Sequence, residues 1–381
     1  MRRTRRIKNA DALRVVPTDI AQFLGQFLES AVTRLKFEAV LVGNMNRLLI
    51  CSSPRKSVVV KSPRRRVDLG IDDITAPIER VDLEVFALRH FSVLNPGAVP
   101  EVLFQSIEYP CFVMEYIAED VRWLNLDAPA QLYLTRECIK PFISSAKSEA
   151  LSGSPLTKLP ERVRRASVQM QEVIERVTFD LPFGRRPTPY SDILGTDGAR
   201  DLSEFIHAIQ NNQNWKEMCA TLLSHYRTVH PRLIHGDLHI GSIICRNGRL
   251  VIIDPEFACQ SVPEFDAGVF VAHAIMAAVS SEQSGRCSAK YIQYIADSFI
   301  TACWSEITQN TRSSEKFQAS NSGLDRSLAK GFMLVELFAK LAGPVASPFL
   351  ISLANNRRAS ALLDLACYVK DSIEQITGSK K

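Results

Sequence analysis

The sequence predicts an α+β chain of two lobes, a β-rich N-lobe over residues 1–117 and an α-rich C-lobe over 118–381. Three observations predict it. Short apolar runs broken by Gly-Asn and Ser-Pro crowd the first third of the chain. Apolar residues recur at helical spacing through most of the remainder. Deep within that helical part, Asn247-Gly248 stands between two apolar runs, a strong signal for a two-residue hairpin. A chain of 381 residues with 46% hydrophobic composition is large enough for two lobes with separate cores.

Taken in order, Thr18 is placed to cap a helix whose apolar residues Ile20, Phe23, Leu24, Phe27, Leu28 and Val32 share one stripe. Ala39–Gly43, Arg47–Cys51 and Ser57–Lys61 then read as strands of a small antiparallel sheet. Pro77–Phe91 reads as a helix, followed by strands at Glu101–Gln105 and Cys111–Tyr116. Residues 128–230 are helical in pattern, with a proline-rich break at Leu181–Tyr190. The last hundred residues are helical again, broken near 319–323 and 343–348.

Composition excludes several classes. The nine cysteines are odd in number, scattered, and never spaced C-x-x-C, which argues against a zinc site or a disulfide framework and for a reducing, cytoplasmic setting. The basic start lacks an apolar region behind it, and no stretch reaches the ~18 apolar residues of a membrane span, so a soluble chain is expected. A net charge of +5 is mild. The clusters Arg2–Arg6 and Arg64–Arg66 read as solvated ends or loops, and no nucleic-acid-binding pattern accompanies them. Partners are expected to be small molecules, with room for a homodimer.

The chemistry concentrates in Leu233–Phe270, LIHGDLHIGSIICRNGRLVIIDPEFACQSVPEFDAGVF. Counting back from Asn247-Gly248 pairs 246 with 249, 244 with 251 and 242 with 253, placing Ser242 beside the strand that delivers Asp254. Asp237 stands five residues before Ser242, the offset of the Asp and Asn in the protein-kinase catalytic loop. Asp254 and Glu256 follow where a metal-binding Asp-Phe-Gly would lie, with Pro255 between them. Phosphoryl transfer needs a carboxylate that orients the attacking hydroxyl and oxygen ligands for Mg²⁺, and this hairpin can supply both, with Ser242 as a third metal ligand. Any one of these acids alone would be an ordinary turn residue; their joint spacing is what points to chemistry. His235 and His239 lie four apart, but Gly236 argues against a helical zinc pair, and both are expected to brace the loop.

A second set lies in the N-lobe. Lys61 ends the run Val58-Val59-Val60-Lys61. Glu84 shares one face of its helix with Val81, Leu88 and Phe91, whereas Glu79 lies about 140° away at 100° per residue. A carboxylate on an apolar stripe needs a partner, and Lys61 is the candidate. Gly43-Asn44-Met45-Asn46 sits between the first two of these strands, where backbone amides could approach phosphates.

The series HGDLHIGSI, IIDPEFA and EFDAG resembles the methylthioribose kinase family, which shares a protein-kinase-like bilobal fold with aminoglycoside phosphotransferases and choline kinases. The resemblance implies a small-molecule kinase that moves the γ-phosphate of ATP to a hydroxyl of a sugar-like acceptor, methylthioribose or a related pentose or nucleoside. It implies that Asn44 and Lys61, with Glu84, serve the ATP phosphates. It implies that Glu115, Tyr116 and Ile117 hold the adenine edge, that Asp237 faces the acceptor, and that Asp254, Pro255 and Glu256 hold Mg-ATP. Asp266 resembles the family's structural aspartate and could cap the helix that follows. One departure stands out: the family's acceptor-side arginine pair is replaced by Ala339 and Lys340. Arg357-Arg358 matches another family position. An antibiotic phosphotransferase is the alternative within enzymes, disfavoured by eight Lys/Arg against five Asp/Glu in residues 319–381. An inactive nucleotide-binding scaffold is the alternative outside them.

Overall fold

A computed structural model describes residues 4–7, 16–40, 45–64, 75–118, 133, 159–184, 189–228, 232–246, 249–281, 289–304, 325–355 and 359–378. Asn44, the Asn247-Gly248 turn and Arg357-Arg358 lie outside these residues. The chain divides into two compact units. One comprises Met1–Asp120, Lys158–Val173 and Ile244–Cys259; the other comprises Val121–Thr157, Ile174–Ile243 and Gln260–Lys381. The sheet unit thus recruits two segments that follow the N-lobe in sequence, among them the stretch that carries Asp254 and Glu256.

The first unit is built on a six-stranded antiparallel sheet of β1 (Thr4–Ile7), β2 (Lys36–Val40), β3 (Asn46–Ser52), β4 (Ser57–Pro63), β5 (Val102–Gln105) and β6 (Phe112–Glu115), in the order β1-β2-β3-β4-β6-β5. The strand β1 lies inside the basic run expected to be a solvated end; it pairs with β2 from Thr4↔Val40 to Ile7↔Phe37. An edge strand rich in charge is a common way to keep a sheet from pairing further.

Alternation sets the faces. Val58 and Val60 of β4 join Leu49, Cys51 and Val113 in a core covered by Ile20 and Leu24 of α1 (Thr18–Phe27). By period two, Val59 and Lys61 then occupy the opposite face. The helix begins at Thr18 itself after Pro17, and no side chain caps it; Asp19, in its first turn, instead accepts from Ser106 at 2.7 Å. The helix α2 (Arg80–Leu94) starts and ends three residues later than its apolar spacing suggested, so Glu79 is only its N-terminal flank. Its buried residues include Val81, Glu84, Leu88 and Phe91, and also Arg80, which the sequence pattern did not mark.

The second unit is helical. It contains α4 (Ser191–Gln210), α5 (Gln213–Arg227), α6 (Pro263–Ser281), α7 (Ala289–Trp304), α8 (Arg326–Ala342), α9 (Pro348–Asn355) and α10 (Ala359–Ile376), after α3 (Glu161–Glu175), which runs across the boundary between units. At the proline-rich break the chain turns through Leu181–Phe183. The pair α6 and α8 forms its centre. A Cβ on Gly268 would lie 2.7 Å from Ala329 O, Met333 N and Phe332 Cβ, so only glycine lets the two backbones meet this closely. None of the helices among the described residues is long and apolar enough to cross a membrane.

Candidate functional site

In the sheet unit, β4 delivers Lys61 and α2 delivers Glu84, both 1% exposed, and Lys61 Nζ donates to Glu84 Oε1 at 2.5 Å. The same ammonium donates to Asp254 Oδ1 at 2.6 Å. Asp254 follows β9 (Arg249–Ile252), whose partner is β8 (Ile243–Arg246), and Ile252 N donates to Ala98 O at 2.8 Å. The Asp254 backbone has φ +63°, a left-handed conformation that a non-glycine residue adopts at a cost of order 1–3 kcal/mol, and such residues cluster at functional sites. Two residues on, Glu256 Oε2 accepts from Asn46 Nδ2 at 2.8 Å and from Arg80 Nε at 3.3 Å.

Among the described residues, three carboxylates (Glu84, Asp254, Glu256) therefore lie with two cations (Lys61, Arg80). Burial alone would lower Lys61, but Asp254, Glu84 and Glu256 outweigh it and the ammonium is held above its ordinary value. Burial pushes Glu84 up to about 8, against the pull of Lys61 and with the help of the Asp254 and Glu256 charges. Glu256 is likewise raised by burial, opposed by Lys61. The set wants a further cation. Hard carboxylate oxygens suit Mg²⁺, which is commonly held by one or two carboxylates together with substrate phosphates. The described residues include no group of three or more His, Cys, Asp or Glu arranged to hold a metal ion.

Glu115 closes β6, and its side chain accepts from Arg246 Nη1 at 3.3 Å. Glu115 N donates to Glu101 O at 2.9 Å, Tyr116 is 37% exposed, and Ile117 follows it. Pro255 is buried, and its carbonyl accepts from Ala258 N at 3.2 Å.

The helical unit carries Asp237. The preceding β7 (Leu233–Ile234) leads into a loop whose His235 and Gly236 amides donate to Asp266 Oδ2 and Oδ1 at 2.6 and 2.9 Å. Burial pushes Asp266 up to about 6, opposed by His235 and by those two amides. Asp266 lies within the first turn of α6, and its oxygens serve this loop rather than capping that helix. His235 Nδ1 accepts from Asp237 N at 3.3 Å.

His239 Nδ1 accepts from Gly241 N at 2.8 Å, so the neutral ring carries its proton on Nε2, which faces Asp237 Oδ2 at 3.7 Å. Burial pushes this imidazole below its ordinary value against the opposing pull of Asp237. The residue Gly241 is what permits the fold-back, since a Cβ there would sit 2.6 Å from the His239 ring. Ser242 lies in the 3-10 turn before β8 rather than within the ladder, and its hydroxyl is engaged in the loop. It accepts from His239 N at 3.0 Å and faces the His239 and Asp237 carbonyls at 2.8 and 3.3 Å.

Behind the loop, the His239 ring stacks on His273 of α6 at 5.0 Å between centroids. His273 Nε2 meets Glu336 Oε1 of α8 at 3.1 Å, and Lys340 Nζ meets the same oxygen at 3.3 Å. Burial would raise Glu336, but Lys340 and the His273 hydrogen bond bring it down to about 2. Lys340 is raised by Glu336 and by Asp237, against burial. The departure from the arginine pair is thus filled by a partly buried lysine paired with a buried carboxylate. Neither Arg80 nor the His273–Glu336 pair was found from the sequence. Helical spacing on α8 places Glu336 one turn before Lys340 and could have indicated that pair.

Residues 156–300 match the phosphotransferase enzyme family. The methylthioribose kinase of Bacillus mycoides (strain KBAB4) is 26% identical over 249 residues, covering 64% of this chain and 61% of that protein. The methylthioribose kinase of Geobacillus thermodenitrificans (strain NG80-2) is 24% identical over 326 residues, covering 83% of this chain and 78% of that protein. The chain therefore spans about three fifths of the length of the Bacillus relative it matches. Among solved structures, a choline kinase from Cryptosporidium parvum Iowa II covers 95% of this chain and 97% of its own, with a TM-score of 0.47 and 12% identity.

Proposed function

We propose that this chain is an ATP-dependent small-molecule kinase that transfers the γ-phosphate to a hydroxyl of a sugar-like acceptor, methylthioribose or a related pentose or nucleoside. The observation that carries the reading is the buried Lys61 held between Glu84 and Asp254. A lysine fixed by a helix glutamate, next to a carboxylate suited to metal, is the arrangement that positions nucleotide phosphates in kinases. The names of the sequence relatives support a sugar-type acceptor.

In this reading Lys61 orients the nucleotide phosphates and Glu84 aims Lys61. The stretch Glu115–Ile117 lines the adenine edge, and Asn44 approaches the phosphates through its backbone. Asp254 and Glu256 would hold Mg²⁺, which neutralises the phosphate oxygens when bound. Asp237 orients the acceptor hydroxyl and takes its proton, while His239 Nε2–H faces the carboxylate and Asp266 holds the loop's backbone still. Ser242 braces the loop from within. A cytoplasmic setting fits the unpatterned cysteines.

The test is ADP release with Mg-ATP across pentoses, thiopentoses, nucleosides and aminoglycosides. Turnover with a pentose or nucleoside at least about tenfold above that with any aminoglycoside is expected. Aminoglycoside-only turnover would favour the antibiotic alternative. Nucleotide binding with no turnover on any acceptor would favour the inactive scaffold.

A further inference from the structure

The guanidinium of Arg80 is fully buried in the sheet unit, and almost every direction it offers is occupied. Nε donates to Glu256 Oε2 at 3.3 Å. Nη1 donates to Pro77 O at 2.8 Å and faces Ala76 O at 3.4 Å. Nη2 donates to Met45 O and to Arg64 O at 3.2 Å. Arg64 N itself donates to Met45 O at 2.9 Å, one step beyond the Asn46↔Pro63 pair at the end of the β3–β4 hairpin away from its turn. Arg80 is therefore bonded to the open end of that hairpin, to the lead-in of its own helix, and to Glu256.

Its position on the helix gives these contacts a meaning. Arg80 and Glu84 are four residues apart on α2, one above the other on the same face. Glu84 bonds Lys61, Lys61 bonds Asp254, and Asp254 is two residues from Glu256, which bonds Arg80. The contacts form a closed ring: one helical turn spans one side, and the Asp254-Pro255-Glu256 backbone spans the other. A buried arginine costs desolvation, and burial lowers the pKa of Arg80 from its ordinary value even with Glu256 beside it. Nothing in the packing of α2 alone calls for a cation in its first turn.

We propose that Arg80 is a positioning residue for the nucleotide side. It fixes Glu256 at a set distance from Asp254 and ties that pair to Met45 and Arg64 at the open end of the β3–β4 hairpin. This rests on the nucleotide-side reading of Lys61, Asp254 and Glu256 given above. By committing Glu256 Oε2 to itself and to Asn46, Arg80 directs the other carboxylate oxygen, Oε1, to the ligand. The planar fork is what makes this work, since its five donors are spread over three nitrogens that face Glu256 and four carbonyls, whereas an ammonium has three donors on one atom.

The test is calorimetric titration of full-length parent, Arg80→Lys, Arg80→Met, Glu256→Gln and Arg80→Met/Glu256→Gln with ADP, in excess Mg²⁺ and in EDTA. Arg80→Met is expected to weaken Mg-ADP binding about tenfold or more while changing metal-free ADP binding less than about threefold. Arg80→Lys is expected to recover less than half of that loss in binding free energy. The double variant should be no worse than Glu256→Gln alone, because Arg80 acts through Glu256. Circular dichroism melts of each variant identify any that fails to fold, and Arg80→Lys keeps the experiment decisive if Arg80→Met does. Equal weakening with and without metal, full recovery by lysine, or additive losses in the double variant would each overturn the positioning role while leaving the kinase reading in place. A parent chain that binds no nucleotide in Mg²⁺ would overturn both.

Discussion

Two buried glutamates, one in each unit, have a lysine within reach and yet are driven in opposite directions. Glu84 lies 2.5 Å from Lys61 and is pushed up to about 8. Glu336 lies 3.3 Å from Lys340 and is brought down to about 2. Burial penalises both carboxylates, and the difference lies in how many acids each lysine serves. Lys61 is shared with Asp254 and feels Glu256, so Glu84 receives only part of one positive charge. Lys340 feels Glu336 first and Asp237 second, and Glu336 has the His273 hydrogen bond besides. Among the described residues the first cluster holds more acids than cations, as a site that takes a metal would. The second is self-satisfied, as a brace would be.

The unit holding Asp237 also relies on backbone more than charge. Asp266 grips two amides, and His239 is folded back by Gly241 N–H. The sharpest way to break the comparison is therefore to separate binding from chemistry. Asp237→Asn should lower kcat by about 10² or more, because the base is lost, while Mg-ATP affinity measured by calorimetry stays within about threefold. An equal loss of affinity would show that Asp237 belongs to the nucleotide cluster after all.

Gly241→Ala should follow in size. The added methyl would collide with the His239 ring at 2.6 Å and displace the group that faces Asp237. A fall in kcat of about tenfold is expected, with little change in melting temperature because Gly241 is exposed. A melting temperature that drops in step with kcat would mean that the residue serves stability alone.

Lys340→Met tests the brace. Removing one partner of a buried ion pair typically costs about 3–5 kcal/mol, because the remaining charge is stranded. Here His273 remains to share the load, so about 2–3 kcal/mol is expected by urea unfolding. Glu336→Leu combined with Lys340→Met should restore most of it. A double variant as weak as the single one would assign Lys340 to something other than neutralising Glu336.

Much of this was legible in the sequence because it rests on local spacing. The strand carrying Lys61, expected to end there and in fact running to Pro63, the apolar stripe carrying Glu84, and the Asp237 and Asp254–Glu256 offsets are all short-range patterns. What was not legible depends on three-dimensional closure. Arg80 sits in the first turn of its helix, where a charged residue is ordinarily solvated, and only the meeting with Glu256, 176 residues away, makes it buried. Thr4–Ile7 reads as a solvated basic end until β2 offers an edge to pair with. Ser242 fell one residue outside its strand because the His239 fold-back starts a 3-10 turn that hairpin counting cannot register.

The smallest expected effect carries the opening contrast into solution. Glu84 has its folded-state pKa raised from an ordinary 4.5 to about 8, so between those values the folded chain holds more protons than the unfolded one. Its contribution to stability is full below pH 4.5 and is lost as pH rises through about 8. Glu336 has the opposite sign: its contribution is full above pH 4.5 and is lost as pH falls through about 2. Of these two glutamates only Glu84 changes across pH 5–8, so the stability difference between the parent and Glu84→Gln should decline over that interval. The three carboxylates titrate as a set, so the decline belongs to the cluster. Binding of Mg-ATP supplies a further cation and should expel that proton. Calorimetry at pH 7 in two buffers of different ionisation enthalpy should therefore show release of a fraction of one proton per nucleotide bound. The release should vanish in Glu84→Gln and persist in Glu336→Gln. Proton uptake, or release unaffected by Glu84→Gln, would mean that the sheet-unit cluster is already balanced without its ligand.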